Sequence, residues 1–205
     1  LTLDAISRQR GAEISVVICG QDLPNDVSCE HEIRFVAAPA RLPRIDGIDK
    51  QAKHRLGARA LVDFWDEPAY VVMLDADDIP HPDLVHYVTS DDNGRGYLID
   101  DGYMWDVDRC NVVRLSGPIT GMRFDEMCGS CAVIAVDLRR KRLAKRVLCT
   151  LPMNHKVIGS HMAALGQPLE PIPFPAMIYS VNHADNASSR FGRDRARQGL
   201  FDRFS

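Results

Sequence analysis

The chain has 205 residues, 45% of them apolar and 26% charged, with 25 Lys and Arg against 28 Asp and Glu. That size and balance suit one globular domain with its own core, and exclude a disordered chain or a collagen-like fibre. A formal charge of −3 argues against a general nucleic-acid binder, which is normally basic. Residues 1–10 predict the end of a helix closed by Gly11. The β-branched run at 13–19 (EISVVIC) predicts a buried strand, broken by Gly20 and Pro24, and 33–38 predicts a second strand ahead of a loop through Pro39 and Pro43. Residues 49–65 predict a helix with Leu56, Ala60, Leu61 and Phe64 on one face. The clearest strand is 70–74 (YVVML), which runs into Asp75-Ala76-Asp77-Asp78, Pro80, Pro82 and a short helix through Val88. Further strands are expected at 96–100, 111–115, 131–136 and 176–182, and helices at 138–148 and 153–165. Strands alternating with helices predict an α/β layered fold with a largely parallel sheet.

No run of 18 apolar residues exists to span a membrane. Leu1-Thr2-Leu3-Asp4 has neither a signal-peptide pattern nor a starting Met, so the expectation is a cytoplasmic fragment with upstream elements missing. Six Cys scattered through mixed surroundings predict reduced thiols. Cys128-Gly-Ser-Cys131 has redox or zinc spacing but no second such pair, so packed thiols are expected. The expected domain covers 1–183, and 184–205 is an Arg-rich tail holding Arg190, Arg193, Arg195, Arg197 and Arg203. Asn186-Ala187-Ser188 fits a glycosylation sequon and is read as chance.

The acidic cluster after the apolar strand carries the most chemistry. A parallel strand delivers its carboxyl end to the crevice where α/β sheets bind ligands. Asp75 and Asp77, at i and i+2 in a turn, can converge on one hard cation such as Mn²⁺ or Mg²⁺, which leaves positions open for phosphate oxygens. The plain alternative is a solvated turn in which Asp77 or Asp78 caps the next helix.

Residues 74–78 (LDADD), with an apolar strand before and Pro and an apolar helix after, resemble the GT-A glycosyltransferases, family 2 in particular. The resemblance covers roughly residues 1–182. Leu3-x-x-Ile6-x-x-Gln9 and the strand after it are similar to the family's first helix and second strand. Asp49-Lys50-x-x-Lys53-x-x-x-Gly57 is similar to the helix before the metal strand, and 129–134 to an acceptor-side strand. It implies a GT-A (nucleotide-diphospho-sugar transferase) fold, with a largely parallel central sheet flanked by helices and the family's first strand lying before Leu1. It further implies an inverting glycosyltransferase moving sugar from a nucleotide-diphosphate donor to a glycan or lipid-linked acceptor. Asp75, Asp77 and a late His, here His183, would be the metal ligands. Gln21, Asp22, Lys53, Asp75 and Ala76 would meet the nucleotide sugar. The family's catalytic Glu-Asp, eleven residues before a helix-ending Gly, maps to Asn154-His155 ahead of Gly166. His155 is thus the expected general base, with Asp125 and Glu126 competing.

Three other features have two readings each. Tyr103 and Trp105 suit either a sugar platform or packing, with Asp100, Asp101, Asp106 and Asp108 near for acceptor hydroxyls. Residues 139–146 (RRKRLAKR) suit either an anionic membrane surface, peripheral to the inner membrane, or a solvated helix face. His161 is expected to be structural. A non-enzymatic carbohydrate- or nucleotide-sugar-binding protein and a haloacid-dehalogenase-like phosphatase are the rival functions, the latter weakened by Asp78-Ile79-Pro80 after the second Asp.

Overall fold

A computed structural model describes residues 1–22, 29–39, 48–183 and 199–203, with Ile48 as backbone alone. Helix α1 spans Thr2–Ser7, strand β1 Ser15–Gly20, β2 Glu32–Ala37, α2 Ile48–Phe64 and β3 Pro68–Val72. Then come β4 (Ile79–Pro80), α3 (Leu84–Asp91), β5 (Gly96–Leu98), β6 (Gly102–Asp106), β7 (Asn111–Leu115) and the short α4 (Gly117–Thr120). The chain continues through β8 (Ala132–Asp137), α5 (Lys141–Cys149), α6 (Ile158–Ala164), β9 (Glu170–Pro171) and β10 (Met177–Val181). Tight 3₁₀ turns cover Phe124–Glu126 and His155–Val157. Pro43, the Arg-rich stretch 190–197 and the sequon at 186–188 lie outside the described residues. The chain returns at 199–203, where Phe201 is buried in the core.

The molecule is α/β, but its sheets are mixed, which corrects the expectation of a largely parallel one. β1 pairs with β2 in parallel. A second sheet has the order β3-β8-β5-β9 and a third β4-β10-β6-β7. The clearest strand, β3, lies antiparallel to β8, and β8 is antiparallel to β5. An apolar run reports burial on both faces, not strand direction. β1 also departs from expectation: its residues are all half-buried. Among the described residues it has one ladder partner, and α2 covers it where Gly57 faces Val17 and Cys19. The α2 seam is Ala58 and Val62, while Phe64 is 44% exposed under the Arg34 guanidinium.

The core lies between the second and third sheets and the helices. β6 shows the alternation that makes it: Gly102, Met104 and Asp106 point inward, Tyr103 and Trp105 outward. Met104, Val113, Leu115, Met177 and Val181 fill the inner face of the third sheet. Gly102 is required by close packing. A Cβ there would lie 2.4 Å from the Phe124 ring and 2.7 Å from the Met177 carbonyl oxygen. Gly102→Ala is therefore expected to cost about 2 kcal/mol or more, since a backbone oxygen has nowhere to retreat. Urea denaturation checks this, and a loss under about 0.5 kcal/mol would contradict the packing described.

Candidate functional site

Four segments meet at the acidic loop that follows β3. α1 arrives from one side, where the Thr2 hydroxyl donates to the Ala76 carbonyl at 2.7 Å. The first turns of α2 bring Lys50 and His54, which share a helix face at i and i+4. Lys50 Nζ lies 2.5 Å from Asp75 Oδ2, and His54 Nε2 3.9 Å from Asp75 Oδ1. The turn before β8 brings Ser130, whose hydroxyl accepts the Asp75 N–H at 2.9 Å. The end of β10 brings His183, whose Nε2 is 2.9 Å from Asp77 Oδ2.

The delivery of His183 has a local cause. Asn182 adopts a left-handed conformation, φ 58, which Asn tolerates better than most residues. Its side-chain amide donates to Asp106 Oδ2 at 2.8 Å, and Asp106 is itself fully buried. That anchor turns the chain out of β10 so that the next side chain reaches the acidic loop. Asp106 therefore fixes a turn instead of facing an acceptor. Asp101 is likewise committed, to a two-pronged pair with Arg114 at 3.0 and 2.6 Å. Asp108 is exposed.

The third acid behaves differently. Asp78 is fully buried and caps nothing by its side chain: Cys128 Sγ donates to its Oδ2 at 3.0 Å, while Oδ1 has no hydrogen-bond partner. Burial pushes its pKa up to about 7; the Ser130 hydroxyl and the Cys128 thiol oppose the rise, and the charges of Asp75 and Asp77 add to it. Burial lowers and Asp75 more than restores the Lys50 ammonium, whose pKa ends above its ordinary value. Burial leaves His54 below its ordinary value, the pull of Asp75 being partly offset by Lys50. All six thiols are free. Cys128 and Cys131 are packed, with burial raising both, Cys131 to about 12. Neither is a reactive thiol.

Lys53 does not reach the acidic loop. It pairs with Asp49 at 2.8 Å, on another face of α2. The cation beside Asp75 is Lys50, three residues earlier. Gly129 leaves room above that pair, since a Cβ there would sit 3.2 Å from Lys50 Nζ and 3.5 Å from Asp75 Oδ2. Gln21 and Asp22 are exposed just past β1. The end of β1 adjoins the start of α2, where the charges of Lys53 and Asp49 act on the Cys19 thiol. From sequence, Lys50, His54 and Ser130 carry no site role, and Cys128 is read as a packed thiol of the Cys128-Gly-Ser-Cys131 pair. The i, i+4 spacing of Lys50 and His54 was the available signal.

A second cluster lies along the same chain segment, five residues before Ser130. His155 Nδ1 is 2.7 Å from the Asp125 carbonyl oxygen. A carbonyl only accepts, so in the neutral ring Nδ1 carries the proton and Nε2 the lone pair. The Asp125 carboxylate is buried and held by Arg123 at 2.9 and 3.1 Å. Glu126 closes back onto the Arg123 N–H at 3.4 Å. His161 adjoins the Thr150 hydroxyl at 3.4 Å. Tyr103 and Trp105 share the outer face of the third sheet with Ile79, Val112 and Ile178, around a hollow of about 440 Å³. That hollow begins one residue past Asp78.

A test of the donors for a divalent ion divides them. Asp77 and His183 meet and are of suitable chemistry. Asp75 faces an ammonium instead. No three His, Cys, Asp or Glu side chains gather to hold an ion among the described residues. No family model matches the chain, and no curated protein and no solved structure matches it either.

Asp78 yields a pH prediction. A carboxyl that the fold keeps protonated binds its proton more tightly folded than unfolded. Stability therefore falls as pH rises from 3.8 toward 7, and the full deficit is present above that. The shift corresponds to on the order of 4 kcal/mol. Asp78→Asn removes this titration. In chelator-containing buffer its melting temperature is expected to exceed that of the wild type at pH 8, by a margin that shrinks at pH 5. Equal margins at both pH values would mean that Asp78 ionises like an exposed carboxyl.

Proposed function

We propose that the chain is a GT-A-type glycosyltransferase domain, similar to family 2, that transfers sugar from a nucleotide-diphosphate donor to an acceptor hydroxyl. Its chief support is the meeting of His183 with Asp77 across 106 residues of sequence, at a loop that also holds Asp75. A carboxylate and an imidazole at the end of an apolar strand suit a shared Mn²⁺ or Mg²⁺. Asp77 and His183 would hold it, with Asp75 joining if Lys50 swings away. When bound, such an ion offsets the charge of a diphosphate leaving group.

The remaining roles follow from the chain's own side chains. Lys50 pairs with Asp75 and places a positive charge at the loop, where a diphosphate would benefit from it. Gln21 and Asp22, exposed beyond β1, suit contact with the base of the nucleotide, and Ala76 presents backbone between the two carboxylates. His155 is a better base than Asp125. Its Nε2 is left with a lone pair, whereas the Asp125 carboxylate is already neutralised by Arg123. Asp125 then positions the ring through its carbonyl. In-line attack by the deprotonated hydroxyl on the anomeric carbon gives inversion. Tyr103 and Trp105 offer faces on which an acceptor sugar ring can lie.

Calorimetric titration with UDP and GDP, each with and without Mn²⁺, tests this reading. Binding of at least one nucleotide is expected to require the ion. Asp77→Ala and His183→Ala are each expected to weaken it about tenfold or more. Transfer or hydrolysis of the matching nucleotide sugar should fall by about 10² to 10⁴ in His155→Ala. Unchanged nucleotide binding in Asp77→Ala would end the assignment.

A further inference from the structure

The basic run at 139–146 holds six cations in eight residues, and the fold spends them unequally. Lys141 is turned inward, its Nζ donating to the carbonyls of Val62 and Trp65 at 2.5 Å each. Those are the last turn of α2, so this lysine caps a helix C-terminus, where cations are favoured. Lys145, one turn on, pairs with Asp63 at 2.6 Å. Arg139 is paired with Asp137 at 2.8 Å yet stays 64% exposed. Arg140, Arg142 and Arg146 are exposed and have no ion-pair partner among the described residues. Ala144, Val147 and Leu148 are the buried seam of α5.

Helical spacing places Arg142, Leu143 and Arg146 on one outward face of α5, with Arg139 and Arg140 exposed just ahead of its first turn. Leu143 is 45% exposed in the middle of it. It shares a shallow hollow of about 500 Å³ with Arg140, Lys141, Arg142 and Arg146. A leucine ringed by unpaired guanidiniums has a definite chemical complement. Arginines alone would suit any polyanion, including nucleic acid. The leucine gains nothing from a phosphodiester chain, but it is stabilised in the acyl boundary just beneath a layer of phosphate headgroups. No described helix is long and apolar enough to cross a membrane, so this is a surface contact.

The geometry points to the outer face of α5 as a docking surface for an anionic lipid bilayer, with Arg140, Arg142 and Arg146 on headgroup phosphates and Leu143 inserted between them. The contact is independent of what the acidic loop binds. It also has a defined position relative to that loop. α5 runs beside α2, with Lys141 at the C-terminal end of α2 and Lys50 at the opposite end beside Asp75. Twelve helical residues separate Lys50 from Val62, so Lys141 stands about 18 Å along α2 from the loop, and α5 runs back from there until Cys149 meets the Arg55 carbonyl.

Vesicle flotation with the full chain tests this. Vesicles of phosphatidylglycerol and phosphatidylcholine are expected to carry the protein at 0.1 M salt, and pure phosphatidylcholine vesicles are not. At about fivefold per neutralised arginine, the doubly reversed variant Arg142→Glu/Arg146→Glu should bind about thirtyfold or more weakly. Leu143→Ser should lose about tenfold with the same salt dependence. All three positions are exposed, and circular dichroism confirms that the variants fold. Brominated lipid should quench the added fluorescence of Leu143→Trp beyond the quenching of the two native tryptophans. Absence of flotation on anionic vesicles, no loss in the doubly reversed variant, or tighter binding to duplex DNA than to these vesicles at equal salt would each overturn the assignment.

Discussion

Three carboxyl groups within four residues repel one another, and the described fold is organised around relieving that repulsion. Like charges about 6 Å apart oppose each other by about 3 kcal/mol at an effective dielectric of about 20. Each acid is treated by a different device. Asp75 takes an ammonium from α2, Asp77 takes an imidazole from the end of β10, and Asp78 is buried with its pKa raised to about 7. Removing any one device returns its share of the repulsion to the others. The segments that supply these groups are far apart in sequence, so the loop ties α2, the 128–131 turn and β10 to the end of β3. A turn made only to reverse the chain would need none of this.

The same arrangement separates two kinds of work. Asp78 and Cys128 form the closed floor, a buried carboxyl against a buried thiol with one oxygen left without a hydrogen-bond partner. Asp75, Asp77, Lys50 and His183 form a half-exposed rim above it. An unsatisfied buried oxygen costs stability. Gly129 keeps the rim open over the Lys50–Asp75 pair. The rim is thus the part of the loop that solvent reaches, and the floor the part that it does not.

Much of this was readable from sequence, and the gaps have physical reasons. LDADD after an apolar strand marks an acidic loop because few other contexts place three acids beside a buried run. His183 was legible because it follows a strand directly, although the left-handed turn at Asn182 that aims it was not. Lys50 was passed over for Lys53. Sequence gives the period of a helix, but the rotational phase of α2 against β3 is set by Ala58 and Val62 packing inward. The mixed direction of the sheets was hidden for a similar reason, since β8 is apolar enough on both faces to imitate a parallel strand. β6 went unnoticed because its inward positions include Gly102 and Asp106, which carry no hydrophobic alternation. The two-residue strands β4 and β9 offer no periodicity at all.

A formal charge of −3 describes neither end of this molecule. Acids gather at the loop facing the N-terminal end of α2, the end made positive by the helix dipole. Basic residues gather on α5 by the opposite end, where Lys141 meets the free carbonyls. α2 thus acts as a spacer with complementary charge at both termini, and its own dipole stabilises the separation. The net charge argues only against a general nucleic-acid binder, while the run at 139–146 leaves an anionic surface open. Net charge governs the far field of a protein. At contact distances within a Debye length of about 10 Å, the local stripe decides what the surface meets.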